Sequence, residues 1–348
     1  MAHWSLLANH ERSERVLHWL RAHVTVRAVA PLVLALGLLA YVADLASAPH
    51  SGAELWTLIR STWWMVFILT VPYLVARAIV WWELLDQLDV RVRIRPFLVS
   101  FAGGEVTKSL PAGDYVQNYL LSRFCHFGAP AVVRSFMATT AILALESALA
   151  VPVVLLVGVP GWSWLFWTII GLVAAWIVVL IALWLLVDRW GSHVRPEIHP
   201  LLRRARDLVE EFLQAGGALL TRRTARSLLP TAVYMLCYVI DLYVMIRAVE
   251  VHGISFVDTL SIYGFIVLVT ILIPIPGEIG VTELSGVGVL MAYGVPAAKA
   301  AVIVLGLRIL ATGFTIVQSG AILAALRREF RVVDGARTVE AMVSTESS

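Results

Sequence analysis

Six stretches of this chain, 24–44, 61–82, 135–157, 163–187, 229–249 and 298–326, are apolar and almost free of charge. Each reaches the roughly 20 residues that a helix needs to cross a hydrocarbon core about 30 Å thick. Of the 348 residues 59% are hydrophobic and 15% charged, where an average soluble domain carries about 25% charged residues. With a mean hydropathy of +0.83, that much apolar surface finds its solvent in a bilayer. Disorder, a collagen repeat and a disulfide scaffold are excluded. The two cysteines, Cys125 and Cys237, lie far apart in apolar sequence, which argues against a structural disulfide and against a cysteine-based metal site.

The basic residues set an orientation. Of 27 Lys and Arg, 22 fall in residues 1–27, 83–134, 188–228 and the tail after 326, against three (Arg60, Arg247 and Lys299) in the intervening loops. Arg77 and Arg308 lie inside spans. By the positive-inside rule both termini are cytoplasmic and the protein is a multi-pass protein of the cytoplasmic membrane. Ala46-Ser47-Ala48 has the form of a cleavage site, but the charged leader and long apolar run favour a retained first span. Residues 188–228 read as a basic cytoplasmic connector. Within it Leu201, Ala205, Leu208 and Phe212 recur at helical spacing opposite Arg203, Arg204, Arg206, Asp207, Glu210 and Glu211. That pattern fits a helix lying on an anionic leaflet and equally a solvated connector.

Two further apolar regions, around 97–125 and 257–296, are broken. Gly103-Gly104 and Pro111-Ala112-Gly113 interrupt the first; Pro274, Pro276, Gly277 and Gly280 interrupt the second. Irregular backbone at membrane depth must be buried in protein or line a wet cavity. The first region lies between basic segments and so leaves and returns on the cytoplasmic side. The second follows the outside loop Val251–Ser255 and returns outside, because the last span must end at the basic tail. The expected fold is therefore all-α, with six transmembrane helices and two re-entrant hairpins. These form one membrane domain of two inverted repeats, 1–160 and 161–330, with a tail at 331–348. Such repeats with discontinuous helices place a transporter's site near the midplane.

Charges inside spans are costly and mark function by default. Here they are Arg77, Glu146, Asp241 and Arg308, with Glu105, Lys108, Asp114, Glu278 and Glu283 in the hairpins. Glu146, Asp241, Glu283, Arg77 and Arg308 either make buried ion pairs that fix packing or line a polar cavity for a charged headgroup; the two readings are compatible. Glu283 and Arg308 stand about 11 and 12 residues on either side of the Gly294–Pro296 connection, so antiparallel helices bring them to similar depth. Helix starts after Pro111 and Pro276 would aim N–H groups inward, with Gly113, Gly277 and Gly280 permitting the turns. No metalloprotease, nucleophile-elbow or Walker A motif occurs. None of the nine histidines is central in a span.

The stretch PIPGEIGVTELSGVGVLMAYGVPAAKAAVIVLGLRIL resembles the C-terminal signature of the lysylphosphatidylglycerol synthase transmembrane family, a flippase-like family. Pro276, Gly277, Gly280, Glu283, Gly294, Pro296 and Arg308 carry the likeness. The first hairpin, SLPAGDYVQNYLL, matches the family's pattern at Leu110, Pro111, Gly113, Leu120 and Leu121, and Glu146 falls where the family has an acid. Asp114 stands where Glu is usual and Gln117 where Arg is; Glu278 replaces a Gly and Thr282 a common Arg. Two arginines fewer and one acid more favour a less anionic or an aminoacylated lipid. The resemblance implies translocation of a lipid or lipid-linked substrate between leaflets. The rivals are a non-transporting subunit that presents lipid to a separate glycosyltransferase or lipid synthase, and an integral-membrane transferase. The expected substrate-binding residues are Glu283, Arg308, Glu146, Asp241, Asp114, Gln117, Glu278 and Arg77. No cofactor, metal or nucleic acid is expected.

Overall fold

The computed structural model describes residues 51–108, 113–163, 200–272 and 280–326, with a few isolated positions outside them and without the side chains of 114, 200–206, 209 and 272. Among the described residues all regular structure is helical. In chain order the helices are α1 (Ser51–Gln87), α2 (Ile94–Thr107), α3 (Gly113–Cys125), α4 (Ala129–Val157), α5 (Pro200–Ala218), α6 (Arg222–Arg226), α7 (Leu228–Ala248), α8 (Phe256–Leu272), α9 (Val281–Ala292) and α10 (Ala297–Leu307). A π turn at Arg308–Thr312 then leads into α11 (Gly313–Ala325).

Four segments are long and apolar enough to cross a membrane: Ser51–Gln87, Ala129–Val157, Arg222–Ala248 and Ala297–Ala325. They contain the spans expected at 61–82, 135–157, 229–249 and 298–326. The expected spans 24–44 and 163–187, and the tail, lie almost wholly outside the described residues. The helix expected at 61–82 begins ten residues earlier. Hydropathy marks only the part in hydrocarbon, whereas α1, at 37 residues, is about 55 Å long and overshoots any bilayer core. Its outer face carries Trp63, Trp64, Phe67, Ile68, Val71 and Val75, all exposed. A contiguous apolar face of this size belongs against lipid.

The packing has a reciprocal order. α1 packs along α7, α2 on α3, and α8 on α9; α4 lies against α8, and α11 against α2. α1 and α7 are antiparallel. At one end Ser227 Oγ donates to Glu83 Oε2 at 2.6 Å, Thr224 Oγ1 to Gln87 Oε1 at 2.7 Å, and Arg223 pairs with Asp86. Arg134 at the start of α4 reaches the Leu88 carbonyl and Glu211 at the same end. At the other end Ser261 in α8 and Tyr293 after α9 both donate to the Gly158 carbonyl, and Lys299 donates to the Val249 carbonyl. The α2–α3 pair thus meets the rest of the chain at one end of the bundle and the α8–α9 pair at the other.

Local sequence explains the breaks. Pro130 sits in the first turn of α4, where a missing N–H costs nothing, and Gly158 closes that helix with φ +77°. The Gly103-Gly104 pair does not interrupt α2, which continues to Thr107. These glycines instead let α3 approach. A Cβ on Gly103 would meet Leu120 Cδ1 at 2.4 Å, and one on Gly104 would meet Gln117 Cβ at 2.6 Å. Small residues at a helix crossing serve this purpose in membranes, where packing rather than water exclusion drives association. At the start of α2, Phe97 stacks on Trp81 of α1 with centroids 5.0 Å apart.

Within the basic connector Pro200–Ala218 is a helix, as its periodicity implies, but the second half of that helix does not face water or a leaflet freely. Glu211 pairs with Arg134 at 2.6 Å, and Ala215 and Leu219 are buried with α5 packed on α4. Leu208, placed by spacing on the apolar face, is exposed.

Candidate functional site

A cavity of about 130 Å³ lies at the junction of α1, α2, α4, α7, α8, α9 and the α10–π–α11 segment. At about 30 Å³ of liquid volume per water it has room for several waters. Its walls carry three bases (Arg77, Lys108 and Arg308), three acids (Glu105, Glu146 and Glu283) and four tyrosines (Tyr73, Tyr234, Tyr238 and Tyr263). Fully ionised, these charges balance.

Arg77 is the most enclosed base. Its Nε lies 2.7 Å from Glu105 Oε1 and its Nη1 3.3 Å from Glu146 Oε1. Tyr73 donates to Glu105 Oε2 at 3.1 Å, and Tyr234 to Glu146 Oε1 at 2.7 Å. Arg77 also sits 5.8 Å from the Tyr234 ring centroid, within cation–π range. The cluster therefore joins α1, α2, α4 and α7. Tyr73 and Arg77 are neighbours on one face of α1, as Tyr234 and Tyr238 are on α7, because residues four apart share a helix face. Tyr73 meets Tyr234 and Tyr238 edge-on, and Tyr238 stacks on Tyr263 with centroids 5.7 Å apart.

The second cluster is built at the start of α9. Gly280, at φ +85°, precedes the helix, and its N–H donates to Glu283 Oε2. The other carboxylate oxygen, Oε1, lies 3.1 Å from Arg308 Nε, an ion pair not aligned as a hydrogen bond. Arg308 is where the helix widens into the π turn; π turns recur at functional sites. Its side chain is 25% exposed, against 6% for Arg77, so Arg308 is the more reachable of the two guanidiniums.

Of the residues singled out from sequence, Arg77, Glu146, Glu283 and Arg308 line this cavity. Asp241 does not. It lines a separate small recess that shares Tyr73, Tyr238, Ala311 and Thr315 with the cavity. Gln117 is buried away from the cavity, where its Nε2 donates to Thr139 Oγ1 at 3.1 Å beside Asn118. That pair ties α3 to α4. Gly113 begins α3, and Gly280 directly precedes α9. Pro111, Pro276, Gly277, Glu278 and the side chain of Asp114 lie outside the described residues. Sequence reasoning left Glu105, Lys108 and the four tyrosines out of the site. Tyrosines at four-residue spacing from an intramembrane Arg77, and within one apolar run as at 234 and 238, were the available signal.

No curated protein matches the chain. A family model matches residues 28–319, a range that takes in both helix pairs and every residue lining the cavity. The chain belongs to the family described as the lysylphosphatidylglycerol synthase TM region, and it is accordingly a multi-pass membrane protein of lipid modification or translocation.

Proposed function

We propose that the cavity receives the headgroup of a membrane lipid and passes it between leaflets, so that the protein is a lipid translocator rather than an enzyme. The observation that carries this reading is the balanced set of three bases and three acids around a cavity with room for several waters. Fixed charges at membrane depth are costly unless they serve a polar pathway. Arg308 presents a planar fork suited to a phosphate, and the tyrosine wall suits an ammonium group. Together they favour a zwitterionic or aminoacylated headgroup over a strongly anionic one.

The reciprocal packing supports an inverted repeat. α4 against α8 and α11 against α2 are the same contact made by each half on the other. On this reading the α2–α3 and α8–α9 pairs are re-entrant hairpins entering from opposite faces, and the termini are in the cytoplasm. The orientation is tested by single-cysteine labelling in intact cells, with Cys125 and Cys237 replaced. His252→Cys is expected to react from outside, and Arg195→Cys and Gly335→Cys only after lysis. External labelling at 195 would reverse the topology.

The activity is tested in vesicles holding fluorescent lipids, by the rate at which an impermeant reductant quenches the inner leaflet's label. The protein is expected to speed exchange of zwitterionic and aminoacylated lipids more than anionic ones. Arg308→Ala is expected to abolish exchange. Arg308→Lys is expected to keep the fold and lose about tenfold in rate, the worth of one charge-assisted hydrogen bond at roughly 1.5 kcal/mol. Exchange no faster than in protein-free vesicles, or unchanged by Arg308→Ala, would end this reading.

A further inference from the structure

The recess beside the main cavity is lined by Thr70 and Tyr73 of α1, Cys237, Tyr238 and Asp241 of α7, Ala311 of the π turn and Thr315 of α11. Asp241 is 4% exposed, in the middle of a membrane-spanning helix. Its Oδ1 has no hydrogen-bond partner, and no ion pair among the described residues includes it. Every other buried acid here has such a partner: Glu105 has Arg77 and Tyr73, and Glu283 has Arg308 and the Gly280 N–H. A lone carboxylate in this position is costly and calls for a counter-charge or a proton.

The surroundings favour a counter-charge. Thr70 Oγ1 donates its proton to the Val66 carbonyl at 2.7 Å, and Tyr73 donates its own to Glu105 Oε2 at 3.1 Å. With their protons committed, both hydroxyls can offer only lone pairs. Tyr238 and Thr315 complete the lining, which comes from three helices. The recess has a volume of about 10 Å³, enough for a single occupant the size of one water. Oxygen donors suit hard cations. One carboxylate neutralises one positive charge, whereas a divalent ion would leave an excess charge in a medium that tolerates it poorly. Among the described residues no group of three or more acids, histidines and cysteines could hold a metal of higher charge.

We infer that Asp241, in the recess lined by Thr70, Tyr73, Tyr238 and Thr315, forms a binding site for a monovalent cation of sodium size. The site stands apart from the lipid reading, because it is defined without a lipid. It shares the Tyr73 and Tyr238 rings and the Ala311–Thr315 segment with the cavity. Its occupancy and that of the cavity are therefore set by the same side chains, the physical condition for coupling between two sites.

The test needs no transport. Thermal unfolding of the purified full chain in detergent is followed by tryptophan fluorescence at pH 8, with sodium chloride replacing choline chloride at constant ionic strength. Sodium is expected to raise Tm by about 2 °C once it exceeds its dissociation constant tenfold. Asp241→Asn is expected to remove the shift. Thr315→Val, close in shape and lacking only the hydroxyl, is expected to raise the half-saturating sodium concentration about tenfold, the worth of one ligand bond. This second variant keeps the test decisive if Asp241→Asn folds poorly. The same Tm in sodium and choline would overturn the site, as would a sodium shift that survives Asp241→Asn with its midpoint unchanged. A Tm that moves with pH but not with sodium would assign a proton to Asp241 and overturn it too.

Discussion

Arg77→Ala is expected to destabilise the protein by about 3–5 kcal/mol, the cost of removing one partner from a buried ion pair. The size follows from what is left behind. Glu105 and Glu146 both direct an oxygen at Arg77, and without the guanidinium two carboxylates face each other across an apolar bundle. Tyr73 and Tyr234 each supply one hydrogen bond, which does not offset two desolvated charges. Arg77→Lys keeps the charge but not the fork that reaches two acids at once, so an intermediate loss is expected. Replacing the whole cluster, with Arg77→Met, Glu105→Gln and Glu146→Gln together, should recover most of the loss, since apolar or neutral replacements of buried ion networks are often neutral in stability. Unfolding in mixed micelles of increasing denaturing-detergent fraction measures all three. Arg77→Ala within about 1 kcal/mol of the native protein, the range of exposed pairs, would mean the cluster is solvated.

The other large effect concerns a methyl group. Gly113→Ala is expected to cost at least the ~3 kcal/mol at the upper end of overpacking. A Cβ at 113 would lie 1.8 Å from the Thr107 carbonyl oxygen, 2.6 Å from the Thr107 carbonyl carbon and 2.8 Å from Lys108 Cα. All three are backbone atoms, so no rotamer change relieves the clash. α2 and α3 must separate at their turn. That moves Lys108 in the cavity wall and strains the bonds from Gln117 and Asn118 to Thr139. Gly288→Ala, where nothing lies within 4 Å, is the control. It is expected to be neutral or to stabilise by up to about 1 kcal/mol through helix propensity. Equal unfolding midpoints for the two variants would show that the turn at 113 is not tightly packed.

Charge at membrane depth is the most legible signal in such a sequence, because every acid or base there needs a reason. Arg77, Glu146, Glu283 and Arg308 were visible for that cause, and counting residues about the Gly294–Pro296 turn brought Glu283 and Arg308 to one depth, where they lie 3.1 Å apart. Proline and glycine stand out in apolar runs for a similar reason, and Gly113 and Gly280 stand at the starts of α3 and α9. What the one-dimensional pattern hides is the identity of neighbours. Gly103-Gly104 reads the same whether it ends a helix or admits another, and only Leu120 and Gln117 lying against it decide the matter. Gln117 carries no mark that its partner is Thr139 rather than a ligand. Tyrosine is ordinary in a span, so Tyr73, Tyr234, Tyr238 and Tyr263 became visible only once four helices had placed them on one wall.

Glu283 holds two things at once: Oε2 fastens the first N–H of α9, and Oε1 faces the reachable guanidinium of Arg308. A ligand anion that draws Arg308 toward itself therefore takes away the counter-ion of the group that ends the broken segment and begins the helix. The carboxylate must then lean further on the backbone N–H, and that change is felt at Gly280, whose φ of +85° sets the chain's entry into α9. On the proposed reading, loading the cavity with such an anion and re-setting the start of α9 are, through this one side chain, the same event.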